Sequence, residues 1–109
     1  MPATKDKVRK RYIAFHIEAD GLVVASELSG LVKDAEQHDI KADIVTERYD
    51  AASGKGLIRV RNTKSLALRS LLGNIKSLGS RQVRIKTLGT SGTIKTASSK
   101  YLHGKNSKI

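Results

Sequence analysis

Apolar residues recur in this chain with two periods, and the order of those periods restricts the fold more than any other feature of the sequence. Between residues 11 and 18 they alternate with polar residues, which is typical of a half-buried β-strand. From residue 28 they recur at intervals of three and four, which predicts an amphipathic helix with Ser26 as its cap. A more weakly alternating strand is predicted from Ile40 to about Tyr49. The first half of the chain therefore predicts strand, helix, strand.

The second half repeats this order and adds one helix. Turn-forming residues at 50–56 precede a predicted strand over Leu57–Arg61. Helical spacing follows, and Gly79 suits the C-terminal cap of that helix. Alternation returns over Gln82–Leu88, and a last helix is predicted from about Ser91 to Leu102. The whole order, βαββαβ with an extra C-terminal helix, predicts an α/β fold: an α+β sandwich of the ferredoxin-like or RRM-like type, with one antiparallel sheet.

The length of 109 residues fits a single domain with one modest core. Residues 1–10 are rich in Lys and Arg and lack apolar periodicity, so we expect a flexible basic arm. Residues 103–109 are polar, and we expect a frayed tail. The longest apolar run, over residues 22–25, is too short to cross a bilayer, and no signal peptide is recognisable. These features predict a soluble, cytoplasmic domain that does not contact membranes.

The distribution of charge predicts a polyanionic partner. All ten Asp and Glu lie in the first fifty residues, together with eight Lys and Arg. Residues 51–109 contain thirteen Lys and Arg and no acid, and the net charge of the chain is +11. A domain that needed only solubility would mix the two signs. A one-sided charge is typical of nucleic-acid-binding proteins, although a generally basic surface without a partner is the alternative.

The residue types that carry out catalysis are not arranged for it in the sequence. The chain has no Cys, and its three His stand at unrelated spacings. The carboxylates are scattered over the first half, and no nucleophile-elbow or phosphate-loop motif is present. We expect that this polypeptide alone is not a catalyst and that the protein binds no cofactor.

Alternating cations on two predicted strands are the first candidates for RNA contact. Arg59, Arg61, Arg84 and Lys86 should project from the sheet face opposite the apolar residues, where they can neutralise phosphates. The segment 55–61 carries no aromatic residue for base stacking. Contact with the backbone of a folded RNA is therefore favoured over sequence-specific binding of a single strand.

A second candidate site lies between Arg84 and Lys95. The sequence predicts a Gly89–Gly92 turn that opens the last helix, with free backbone amides at its positive end. The hydroxyl groups of this predicted phosphate-binding turn belong to Thr90, Ser91 and Thr93. The lysines near them are Lys86 and Lys95. An ordinary helix cap with turn glycines accounts equally well for the same residues.

Three segments resemble one known family. They are Arg11–Ile17 (RYIAFHI), Gly56–Arg61 (GLIRVR) and above all Lys86–Ala97 (KTLGTSGTIKTA), which is followed by Lys100 and Tyr101. In the same element order, these segments resemble the archaeal ribonuclease P protein component 2 family. That family is the archaeal counterpart of the Pop-type subunit shared by eukaryotic ribonuclease P and ribonuclease MRP.

The resemblance implies a ribonucleoprotein that removes 5′ leaders from precursor tRNA. It implies that the RNA carries the catalytic site and uses Mg²⁺, and that protein component 3 is the protein partner, with a homodimer inside a heterotetramer as one arrangement. By analogy, RNA contacts fall on Lys86, Thr87, Ser91, Thr93 and Lys95, and Lys100 is a further candidate. Two alternatives stay open: another basic RNA-scaffold protein of the ribosomal type, and a ferredoxin-like regulatory domain.

Overall fold

A computed structural model describes residues 9–102 of the protein, so most of the predicted arm and all of the predicted tail lie outside the described residues. Its five strands form one antiparallel sheet in the order β2-β3-β1-β5-β4. The strands are β1 (Lys10–Ala19), β2 (Ala42–Ile44), β3 (Lys55–Arg61), β4 (Ser77–Leu78) and β5 (Arg81–Ser91). The helices are α1 (Ser29–Gln37), α2 (Ser65–Asn74) and α3 (Ile94–Ala97), and α3 continues as a π-helical turn over Ser98–Leu102. The predicted α+β, ferredoxin-like fold class is confirmed.

The main core lies between α1, α2 and one face of the sheet. Successive side chains of a strand point to opposite faces, so Ile13, Phe15 and Ile17 of β1 all face the helices. Leu31 from α1 and Leu72 from α2 pack against them, and both are fully buried. The apolar side chains that give the strand and helix patterns in the sequence therefore pack together in one layer.

A smaller apolar cluster lies on the other face of the sheet, under the C-terminal segment. Ala14 and Leu57 face each other on β1 and β3, and Ala97 of α3 packs on them. All three residues are completely buried. The extra C-terminal helix thus covers the middle of the sheet face that the two larger helices leave open.

The prediction for the second strand was wrong in extent. The strand covers only Ala42–Ile44, and the chain then makes a 3-10 turn at Thr46–Arg48. This turn brings the ring of Tyr49 against Phe15, with ring centroids 6.2 Å apart, and its hydroxyl donates to the carbonyl of Val23. The apolar side chains that weakly suggested a longer strand are used in packing at a bend.

Two predicted helix caps were also wrong. Gly79 does not end α2, which stops at Asn74; with a φ of 62° it lies in the turn of a short hairpin between β4 and β5. Ser26 does not cap the first helix, because a 3-10 turn over Ala25–Leu28 precedes α1. At the start of that turn the carboxylate of Glu27 accepts a hydrogen bond from the Val24 amide at 3.1 Å.

The predicted turn at Gly89–Gly92 was wrong as well. β5 continues through Gly89 and Thr90 to Ser91, and a β-bulge at the level of Ala14 lets it stay paired with β1. The last helix begins at Ile94 rather than Ser91, and its cap is Thr93, whose hydroxyl accepts a hydrogen bond from the Thr96 amide at 3.1 Å.

Candidate nucleic-acid interface

The central position of β1 decides which charged residues become neighbours on the open sheet face. Tyr12 lies between Arg59 of β3 and Ser91 of β5. Near the other end of β1, His16 lies between Lys55 and Lys86. The polar residues of this face therefore form two groups, at opposite ends of the central strand.

Arg59 is held by an acid from the first half of the chain. Its Nη2 donates to Oδ2 of Asp43 at 3.2 Å across the β2–β3 pair. The pKa of Arg59 is raised above its ordinary value. The bond to Asp43 is the main cause, and the neighbouring Tyr12 hydroxyl is the second. The guanidinium is partly used within the protein, which lowers its capacity to neutralise a phosphate.

Arg84 and Lys86 are exposed on the same face, toward the opposite end of β1. Arg84 lies opposite Glu18 in the strand register, and the Glu18 carboxylate is 3.9 Å from a ring nitrogen of His16. From Tyr12 to Glu18 is about 20 Å along an extended strand, and the C-terminal segment covers the middle of this distance. The four predicted strand cations therefore form two separate pairs: Arg59 with Arg61, and Arg84 with Lys86.

The predicted phosphate-binding turn is not assembled. Thr87 and Thr90 pair with Phe15 and Ile13, so their side chains lie on the helix-covered face, away from Lys86. The Thr93 hydroxyl is used as the cap of α3. Because α3 has only four residues, it has little dipole to attract an anion.

Gly89 is part of the strand and is covered rather than open. A Cβ built on Gly89 would contact the ring of Tyr101, which packs directly on the strand backbone at this point. Two other candidates, Lys95 and Lys100, are exposed on the C-terminal segment. The RNA contacts of all ten candidate residues stay predictions.

Sequence reasoning missed a group of cations at the end of the sheet where β1 begins. The interpretation of residues 1–10 as an arm separated Arg9 and Lys10 from the fold, whereas β1 starts at Lys10. The amide of Asn62 donates to the carbonyl of Arg9 at 2.8 Å, so β1 remains attached to the chain that leaves β3. The available signal was that two basic segments, 9–11 and 59–64, flank strands that a ferredoxin-like order places side by side.

Two general features of residues 9–102 bear on other kinds of site. No group of three or more His, Cys, Asp or Glu within this range is placed to hold a metal ion. No helix within it combines the length and the hydropathy needed to cross a membrane.

Comparison with known proteins identifies the family of the chain. The model of the Rpp14/Pop5 family matches residues 11–102, from the second residue of β1 to the end of the π-helical turn. Ribonuclease P protein component 2 of Methanosarcina mazei is 27% identical over 101 residues, which cover 88% of this chain and 86% of the relative. The protein of the same name from Pyrococcus abyssi is 30% identical over 108 residues, covering 93% and 89% of the two chains. The resemblance seen in the sequence motifs is confirmed, and the chain belongs to the Rpp14/Pop5 family.

Proposed function

We propose that this chain is a protein subunit of ribonuclease P, and that it binds the RNA of that enzyme and promotes removal of the 5′ leader from precursor tRNA. The observation that carries the proposal is the extent of the family match, which covers all strands and helices of the described fold except the first residue of β1. The relatives that match over most of their length are named ribonuclease P protein component 2. Family membership by itself makes the chain a subunit of an RNA–protein complex.

In this proposal the protein contributes charge and shape, and the RNA performs the cleavage. Exposed cations on a rigid sheet neutralise phosphates and release counterions, which gives an affinity that falls steeply with salt. Arg61, Arg84, Lys86, Lys95 and Lys100 are the cations among the predicted contacts that are exposed. We assign Mg²⁺ to the RNA, and we expect protein component 3 to be the protein partner, in an assembly that contains two copies of this chain.

Reconstitution tests the assignment. The full chain is added to ribonuclease P RNA and protein component 3, and cleavage of precursor tRNA is measured over a series of Mg²⁺ concentrations. We expect faster cleavage and a lower Mg²⁺ requirement than without the chain, because bound cations reduce repulsion between phosphates. Equal cleavage with and without the chain would contradict the proposed function.

The sheet-face contacts are tested by removing Arg84 and Lys86 together. In R84A/K86A we expect weaker binding of ribonuclease P RNA, with the slope of log affinity against log salt reduced by about 1.4–1.8 because two phosphate contacts are lost. K33A/K41A is the matched control, since it removes two exposed cations from α1 and the segment before β2. Identical slopes for the two variants would exclude the Arg84–Lys86 pair from the interface.

A further inference from the structure

We infer that the end of the sheet where β1 begins is a second RNA-binding surface. It contacts the phosphate backbone at a different place from Arg84 and Lys86. Five cations form this surface, here called the basic end: Arg9, Lys10, Arg11, Arg61 and Lys64. The inference rests on the proposed function, because it names an additional part of the surface that binds the same RNA.

The fold brings these cations together from two distant segments. Lys10 is the cross-strand partner of Arg61 in the β1–β3 pair, and both side chains are exposed. The Asn62–Arg9 backbone bond holds the next residues of the two segments side by side, and Lys64 follows within the same 3-10 turn. Strand pairing therefore holds Lys10, Arg11 and Arg61, while Arg9 and Lys64 lie just outside the two strands. Because successive side chains alternate, Lys10 and Arg61 project from the open face and Arg11 from the helix-covered face, so the basic end surrounds this end of the sheet.

Its charge is unusual for a strand pair. Like charges directly opposite each other on neighbouring strands destabilise a sheet. Within residues 9–102, no ion pair includes a member of the basic end, whereas Arg59 and Arg81 each have a carboxylate partner. A cross-strand pair of cations that lowers stability is expected where an anionic ligand offsets the repulsion.

One guanidinium of the basic end is positioned in advance. The Nε of Arg11 donates to Oδ1 of Asn62 at 2.8 Å, which fixes the plane of the guanidinium while its two Nη groups extend beyond this bond. A Cβ built on Gly92 would lie 3.1 Å from Nη1 of Arg11, so the absence of a side chain at Gly92 makes room for this group. A planar guanidinium held in this way matches the two oxygens of a phosphate.

The geometry favours RNA over an acidic protein as the ligand. A protein interface is normally built around an apolar or aromatic centre with charges at its rim, whereas neither β1 nor β3, the strands that carry the Lys10–Arg61 pair, exposes a large apolar side chain. The basic end and the Arg84–Lys86 pair lie near opposite ends of β1, about 17–26 Å apart along an extended strand. Two such contacts can bind two segments of one folded RNA.

Charge removal is the first test. K10A/R61A removes the facing pair, and K33A/K41A is again the control with the same net charge. Binding of ribonuclease P RNA to the full chain is measured by fluorescence anisotropy over a series of KCl concentrations. We expect the log–log salt slope of K10A/R61A to fall by about 1.4–1.8, with a melting temperature equal to or above that of wild type because the cation pair is relieved.

A substitution that leaves the charge unchanged is the second test. In G92A the added methyl group forces Nη1 of Arg11 to move by a few tenths of an ångström, so we expect RNA affinity to fall modestly while the salt slope stays closer to that of wild type than in K10A/R61A. Gly73→Ala is the matched control, because nothing lies within 4 Å of the Cβ that it adds. Equal affinity for G92A and the control would contradict the claim that RNA binding depends on the position in which Asn62 holds the Arg11 guanidinium.

The outcomes separate the inference from the proposed function. If wild-type protein shows no salt-dependent RNA binding, the proposed function fails. If wild type binds RNA and K10A/R61A binds it as the control does, only the basic end is excluded. If K10A/R61A keeps its RNA affinity and loses binding to protein component 3, the basic end is a protein interface and the inference is overturned.

Discussion

Gly89 allows the C-terminal segment to lie directly on the sheet. It is the cross-strand partner of Ala14, so two residues with little or no side chain stand side by side on neighbouring strands. The ring of Tyr101 rests on Gly89, so close that a Cβ there would overlap with the ring carbon Cζ. The glycine is therefore required for close approach, and its φ is not in the positive range.

We expect Gly89→Ala to destabilise the protein by about 1–3 kcal/mol, the usual cost of adding atoms to a filled site. Because the clash is with one ring, Tyr101→Ala should remove most of it, and the double-mutant cycle should show strong coupling. Denaturant unfolding of the four proteins measures both quantities. Additive effects of G89A and Y101A would show that the ring does not pack on Gly89 in solution.

Among the secondary-structure elements, the start of β5 is joined to the segment between β1 and α1 by one side chain. The guanidinium of Arg81 donates to the carbonyls of Leu22 and Asp20 at 2.7 and 2.9 Å. It also contacts both carboxylate oxygens of Glu27, at 2.9 and 3.0 Å. Arg81 thus connects β5 to a segment that has no strand pairing of its own.

This connection predicts a pH dependence of stability. Two hydrogen bonds hold the pKa of Glu27 below its ordinary value. The bond from Arg81 has the larger effect, and the bond from the Val24 amide has the second largest. A lowered folded-state pKa gives stability that is complete above the unfolded carboxyl value of about 4.3 and is lost as pH falls through the lower folded value. We therefore expect E27Q to be less stable than wild type at pH 7, and the difference to shrink toward pH 3. Chemical denaturation at both pH values measures it, and a difference that does not change with pH would contradict the role of the Glu27 charge.

The elements that could be predicted from sequence are those whose apolar period is complete. β1 and the helix side of β3 alternate without interruption, and Leu68 and Leu72 of α2, which follow the helical spacing, are buried. The errors fall where tertiary packing replaces the local preference. Gly89 was interpreted as turn chemistry, but it is a strand residue under an aromatic ring. β4 has only two residues, too few to show a period.

The candidate site was harder to predict than the fold, because charge neighbours depend on strand register. Composition identified a basic second half and the alternation identified outward-facing cations, and both remain useful. Neither showed that Arg59 lies beside Asp43 or that Arg84 lies opposite Glu18. The first fact depends on which strand occupies the edge next to β3, and the second on the exact pairing of β1 with β5.

At the scale of the whole molecule, the acidic and basic halves of the sequence are interleaved in space. The central strand comes from the acidic half and its two neighbours come from the basic half. Acids of the first half consequently lie beside cations of the second half, as in the Asp43–Arg59 and Glu27–Arg81 ion pairs. The basic end is the converse case, in which cations from both halves meet.

This interleaving predicts that removal of an acidic residue strengthens RNA binding when that residue forms an ion pair with a cation of the RNA interface. Asp43→Asn releases Arg59 and raises the net charge by one, so we expect the affinity for ribonuclease P RNA to rise a few-fold at low salt. Glu36→Gln, at an exposed position on α1, makes the same change in charge without a cation to release. The two variants are compared in the anisotropy titration. The same affinity for both would mean that Arg59 makes no RNA contact.

The central position of the first strand also affects how the protein folds while it is being synthesised. Tyr12 pairs with Ser91, so nearly all of the described chain must leave the ribosome before β1 has its second neighbour. Until then, one edge of the apolar strand β1 has no partner in the nascent chain. Strands that are far apart in the sequence, such as β1 and β5, also pair slowly. We expect the free polypeptide to depend on its late-emerging residues for folding, and to be exposed to aggregation until translation has passed them.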